Sequence, residues 1–137
     1  MKNYRELDVW KTSMELAEAI HSVSKNFPKD EMFGLQSQIR RAEYSVPSNI
    51  AEGFGRSHTK EFIQFLNTAN GSLCETETQL TLAVKFNYIS REEALEIWTF
   101  TQRIGMMLTK LKKALKKRLV NKRSSRNTNH DSRTTAE

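Results

Sequence analysis

The chain has a single cysteine, two prolines and five glycines among 137 residues. It also lacks any apolar run approaching the roughly 20 residues that cross a bilayer, so no membrane span is expected. One thiol, Cys74, cannot close an internal disulfide, which fits a reducing compartment, the cytoplasm. The opening residues, Met1 to Asp8, carry no apolar stretch of the secretory-signal kind. With so few breakers, a charged chain containing Leu and Ala reads as long helices rather than strands and tight turns. The three histidines, His21, His58 and His130, are far apart, and no HExxH, phosphate loop or Cys-His cluster occurs. No metal, cofactor or catalytic residue is therefore expected, and the chain reads as a non-enzyme. Its length suits one domain with one core.

What the chain does have is basic charge, unevenly placed. Residues 1–109 hold 12 Lys and Arg against 14 Asp and Glu, a net of −2. Residues 110–137 hold 10 against 2, a net of +8. The whole basic excess thus sits at one end, in Lys110, Lys112, Lys113, Lys116, Lys117, Arg118, Lys122 and Arg123 and the residues after them. Such asymmetry points to an acidic partner, nucleic acid first. A solubilising helix end with a loose tail accounts for the charge equally well.

Four stretches have helical rhythm. Val9, Leu16, Ile20, Val23 and Phe27 share one face of a helix over about Leu7 to Asn26, with Trp10, Met14 and Ala17 beside them. Phe27-Pro28 stops it, and Asp30 is the expected N-cap of the next. There, Leu35, Ile39, Ala42, Val46 and Ile50 keep the period across Pro47, which predicts a continuous helix kinked at the proline. Gly53 and Gly55 mark its end near Arg56. Phe62, Leu66, Ala69, Leu73, Thr76, Leu80 and Ala83 follow a strict four-three alternation, straight through Asn70-Gly71. Ser90 to Glu93 form a capping box that opens the last helix. Ala94, Ile97, Thr101, Ile104, Leu108, Leu111 and Leu115 make its core stripe. The fold class is all-α, an up-down-up-down antiparallel four-helix bundle over residues 1–120. Residues 121–137 have too few apolar groups to offset ordering and form an expected disordered basic and polar tail.

Several residues are left over from the core pattern. Trp98, Phe100 and Met107 give the fourth helix a second apolar strip, a candidate subunit interface. Gly71 and Gly105 fall about opposite each other and suggest a close approach of the third and fourth helices. Arg40 and Arg41 fall within a turn of Glu75 and Glu77 in an antiparallel arrangement, and read as an interhelical ion-pair group rather than a phosphate site. Ser48 and Asn49 are expected to serve backbone groups freed by Pro47, with Glu52 and Arg56 paired four residues apart. His21 reads as a residue at the edge of the core face. Cys74 beside Leu73 reads as a packed thiol rather than a nucleophile.

The run Ser45-Val46-Pro47-Ser48-Asn49-Ile50-Ala51-Glu52-Gly53-Phe54-Gly55-Arg56 resembles the signature of the four-helix-bundle proteins encoded by intervening sequences in bacterial 23S ribosomal RNA genes. Phe27-Pro28, Phe33-Gly34-Leu35 and Gln38-Ile39-Arg40-Arg41-Ala42 resemble the start of that family's second helix. Gly71 to Leu80 resembles its third, and Asn87-Tyr88-Ile89 the turn into its fourth. The resemblance covers roughly residues 4 to 118. It implies an all-helical bundle assembling as a ring-like homopentamer, similar in architecture to the accessory proteins of diversity-generating retroelements, which bind nucleic acid and a reverse transcriptase. Function passes across such a resemblance only by analogy.

The resulting expectation is a homo-oligomeric scaffold or accessory protein, pentamer favoured, that binds RNA or DNA with little sequence preference. The alternative is an adaptor that docks another protein and has no nucleic-acid role.

Overall fold

The computed structural model describes residues 3–135, with side chains through residue 126. Four α-helices follow one another: α1 Asp8–Ser24, α2 Leu35–Phe54, α3 Thr59–Lys85 and α4 Arg91–Thr135. Two short 3-10 turns, Tyr4–Glu6 and Lys29–Glu31, precede α1 and α2, and no strand occurs among the described residues. Each helix packs on two others, α1 on α2 and α4, α3 on α2 and α4, while the diagonal pairs make no close backbone approach. Across α2 and α3, Ser45 meets Ser72 and Phe54 meets Phe62. Across α3 and α4, Asn67 meets Lys112 and Glu77 meets Gln102. In both pairs numbers rise along one helix as they fall along the other.

The core is built from the positions with four-three spacing. Leu16, Ile20, Ile39, Val46, Ile50, Leu66, Leu73, Leu80, Ile104 and Leu108 are all buried. Burying each such side chain contributes about 1.5–3 kcal/mol. The α2 helix runs unbroken through Pro47. Its first turn is tied by Glu31, whose Oε1 accepts from the Leu35 amide at 3.3 Å, and not by the expected Asp30. The reason is that Lys29–Glu31 is a 3-10 turn, which puts Asp30 four residues too early. The turn out of α3 closes on Asn87 at φ 63, with the Tyr88 amide donating to the Ala83 carbonyl and the Asn87 amide to that of Val84. Asparagine tolerates that left-handed conformation, and the two bonds satisfy carbonyls the helix end leaves open. Ser90 and Glu93 exchange the two bonds of a capping box, at 3.1 and 3.2 Å.

The glycines behave differently from expectation. Gly53 lies inside α2 and is buried, and a Cβ there would sit 2.6 Å from Phe65 Cβ and 3.0 Å from Phe62 Cδ1. It is the glycine that lets two helices approach closely, α2 and α3. Gly71 has nothing within 4 Å of a built Cβ, and Gly105 only Leu73 Cδ2 at 3.7 Å. These two therefore do not draw α3 and α4 together.

At the far end, α4 is helical to Thr135, past the Val120 limit of the expected bundle. Its backbone continues through the stretch read from the sequence as a basic and polar tail. Packing is what stops. Leu119 is the last side chain against the core, and residues 120–126 are exposed. The expectation for residues 136–137 lies outside the described residues.

Candidate nucleic-acid interface

In the last turns of α4, Leu108 and Leu115 are buried, while Leu111 and Leu119 pack partly against the core. That seam fixes where the interleaved cations point, and they separate into groups. Lys112 Nζ donates to Asn67 Oδ1 on α3 at 3.2 Å. Lys110 and Lys113 line a shallow groove with Gly105 and Met106. Lys116 and Lys117 are exposed on other faces. Arg118, Lys122, Arg123 and Arg126 line a cleft whose opposite wall is Ser57, His58, Thr59 and Lys60.

The cleft follows from helix direction. Because α3 and α4 run antiparallel, with Asn67 against Lys112 and Glu77 against Gln102, the first turn of α3 lies beside the C-terminal part of α4. His58 stands at the N-cap with φ −113 and ψ 133, and its side chain makes no capping bond. Early amides of α3 are thus left for another acceptor, at the positive end of the helix dipole. Glu61 lies in the same first turn and partly offsets that charge. Ser57 and Lys60 were not singled out in the sequence, and His58 was named there only as an isolated histidine. The signal was present, because the opposed numbering that pairs Asn67 with Lys112 brings Lys60 level with Leu119.

The polar group of α2 is arranged otherwise than expected. Arg40 turns back to α1, its Nε donating to Ser24 Oγ at 2.7 Å and its Nη2 to the His21 carbonyl at 3.1 Å. Glu77 instead accepts from Gln102 of α4 at 3.0 Å, and Arg41 and Glu75 are exposed. The expected Arg40–Arg41–Glu75–Glu77 ion-pair group does not form among the described residues, because Arg40 reaches the C-terminal end of α1 and Glu77 reaches Gln102 of α4. Burial raises the Glu77 pKa, with bonds from Thr101 and Gln102 opposing. Asn49 Nδ2 donates to the Ser45 carbonyl at 2.7 Å and to Ser45 Oγ at 2.8 Å. It does not serve the Glu43 carbonyl, which is the one Pro47 leaves without a donor. Ser48 is exposed. Glu52 and Arg56 pair at 3.1 Å, and Arg56 also lies over the Phe65 ring.

Glu43 was passed over in the sequence and is the least expected residue of the bundle. It is 0 % exposed, and neither carboxylate oxygen has a hydrogen-bond partner. Desolvation pushes its pKa up to about 9.

On the outer side of α4, Trp98 is exposed together with Leu95 and Met106, whereas Phe100 and Met107 lean on the core. Cys74 is exposed rather than packed, because the 69, 73, 76, 80 rhythm leaves it off the core face. His21 is exposed, with Nδ1 3.3 Å from the Tyr44 hydroxyl. No cluster of three His, Cys, Asp or Glu fit to hold a metal occurs among the described residues, and no described helix is long and apolar enough to cross a membrane.

A family model described as 23S rRNA-intervening sequence protein matches residues 5–110. The chain belongs to that family. A solved structure from Bacteroides thetaiotaomicron VPI-5482, described as a protein with unknown function from the S23 ribosomal protein family, has 30% identity to the chain. It superposes with a TM-score of 0.72, over 77% of this chain and 98% of that one. No protein with a curated description matches. The match to the intervening-sequence family stops at Lys110, so Arg118, Lys122, Arg123 and Arg126 of the cleft lie beyond it.

Proposed function

We propose that this intervening-sequence family member is a non-enzymatic, homo-oligomeric bundle, pentamer favoured, that binds RNA or DNA with little sequence preference as a scaffold or accessory protein. The observation that carries this reading is the cleft in which Arg118, Lys122, Arg123 and Arg126 face Lys60 and the uncapped start of α3. Cations from two helices and open amides on one hollow suit phosphate oxygens. Nothing there is shaped to read base edges. An oligomer repeats the cleft once per subunit, and each phosphate neutralised releases counterions. The adaptor reading draws on a different feature, the exposed Leu95, Trp98 and Met106 along α4.

The test is fluorescence anisotropy with a labelled single-stranded RNA and a DNA duplex over a range of salt. The logarithm of affinity should fall with log salt by about 0.7 to 0.9 per phosphate contact. Lys60→Glu, fifty-eight residues before Arg118, should weaken binding as much as Arg118→Glu does, while Lys116→Glu should weaken it less. Absence of binding to either probe at low salt would leave the adaptor reading standing alone.

A further inference from the structure

Phe33 is 91 % exposed, the most exposed large hydrophobic side chain described, and Tyr44 is 45 % exposed. Both line one open hollow beside α2, together with Met32, Arg40 and Arg41. Two guanidinium groups but no carboxylate stand among the described residues that line it. Phe27, Phe54, Phe62, Phe86 and Tyr88 each lie against another aromatic ring, whereas Phe33 and Tyr44 meet none among the described residues.

The parts of the hollow are held in place. Phe33 stands on a tied corner, where Glu31 Oε1 accepts from the Leu35 amide and the Gly34 amide donates to the Glu31 carbonyl. Glu31 Oε2 accepts from the Tyr88 hydroxyl at 2.9 Å, so both oxygens of the carboxylate nearest Phe33 in the chain are engaged. Asp30 is exposed but does not line the hollow. Arg40 is anchored to α1 through Nε and Nη2, which leaves its Nη1 for another acceptor. Arg41 is exposed and makes no ion pair or hydrogen bond among the described residues. The Tyr44 hydroxyl, 3.3 Å from His21 Nδ1, fixes the far edge of that ring.

We infer that this hollow takes an unpaired base of a single-stranded nucleic acid, with Phe33 as the stacking face, Tyr44 as a second aromatic wall, and Arg40 and Arg41 on the adjoining phosphates. The inference rests on the nucleic-acid reading above and deepens it. The cleft of α3 and α4 meets phosphates, which a duplex and a single strand both present, whereas this hollow needs a base released from its pair. A protein side chain could meet the rings, but two cations without a lining carboxylate suit a ligand that is both flat and anionic, as a nucleotide is. Every base has an aromatic face, so stacking adds strand selectivity with little sequence preference. The sugar takes no part in it, and RNA and DNA single strands are bound alike.

Fluorescence anisotropy with four probes of equal length tests this: single-stranded RNA, single-stranded DNA, a DNA duplex, and an abasic DNA strand that keeps the phosphates without the bases. Phe33→Ala should weaken binding of both single strands by about 5- to 150-fold, the usual loss for one stacked base. It should leave the duplex and the abasic strand as they were, and Phe33→Trp should retain the parent's affinity. Arg41→Ala should lower the salt slope of single-strand binding by about 0.7, one phosphate contact. Phe33 is solvent-facing, so its variants should keep the parent's helicity and melting temperature by circular dichroism, and its mass by light scattering. A change of mass would place Phe33 at a subunit contact and overturn the proposal. Single strands that bind parent and Phe33→Ala equally, with duplex binding intact, overturn the base site alone and leave the patch to a protein partner. An equal loss on the duplex or on the abasic strand overturns stacking as the cause. A parent that binds no probe at low salt overturns the nucleic-acid reading, and this inference with it.

Discussion

Glu43 occupies a core position as regular as its aliphatic neighbours in α2, since Ile39, Glu43, Val46 and Ile50 step by four, three and four. In the sequence Ala42 took that place, because a carboxylate in a stripe is ordinarily assigned to water. Both residues are buried. With no partner for either oxygen, the folded state holds the group as a neutral acid, at a pKa of about 9 instead of 4.5. Below pH 4.5 both states carry the proton, and Glu43 leaves stability unchanged with pH. Between 4.5 and about 9 the unfolded chain sheds the proton and the folded chain keeps it, so stability falls steadily as pH rises. Glu43→Leu removes two unpartnered polar atoms at similar volume and should stabilise the protein at pH 7.5, by about 1–3 kcal/mol. It should also flatten the pH dependence of urea midpoints across that window. Equal slopes for parent and variant would mean that Glu43 ionises freely in the folded state. The helical period contains this position, but reading carboxylates as solvent-facing removed it from the stripe.

At the scale of the element, the four helices were legible, with ends within about three residues wherever a proline, capping box or turn asparagine stood. The glycines were not, because their effect depends on what faces them. Gly53 meets Phe62 and Phe65 of α3, and Gly71 meets nothing. Gly53→Ala should therefore destabilise, by about 1–3 kcal/mol through overpacking. Gly71→Ala should stabilise by about 0.5–1 kcal/mol, since alanine suits a helix interior. Thermal melts of the two variants should move in opposite directions. The last stretch of α4 makes a third case. Because Val120 and the side chains through Arg126 touch no core, deleting residues 120–137 should leave the bundle's stability within about 0.5 kcal/mol. A larger drop would show that the extension braces the fold.

For the whole molecule, the charge split along the chain was plain in the sequence, but its arrangement was not. Lys60 and the start of α3 join the cleft through the fold alone, and they sit far from the basic run in number. The expected ion pairs of α2 failed for the same reason: spacing puts charges on a level without saying which neighbour each will reach. The family match ends at Lys110, before nine of the ten Lys and Arg of residues 110–137. One consequence of the acid sealed in the bundle belongs to this scale. At neutral pH the native chain stores a proton that the denatured chain releases, so unfolding acidifies its surroundings by up to one equivalent per chain. The heat absorbed in calorimetry will then differ between phosphate and Tris, in proportion to the enthalpy with which each buffer takes up that proton.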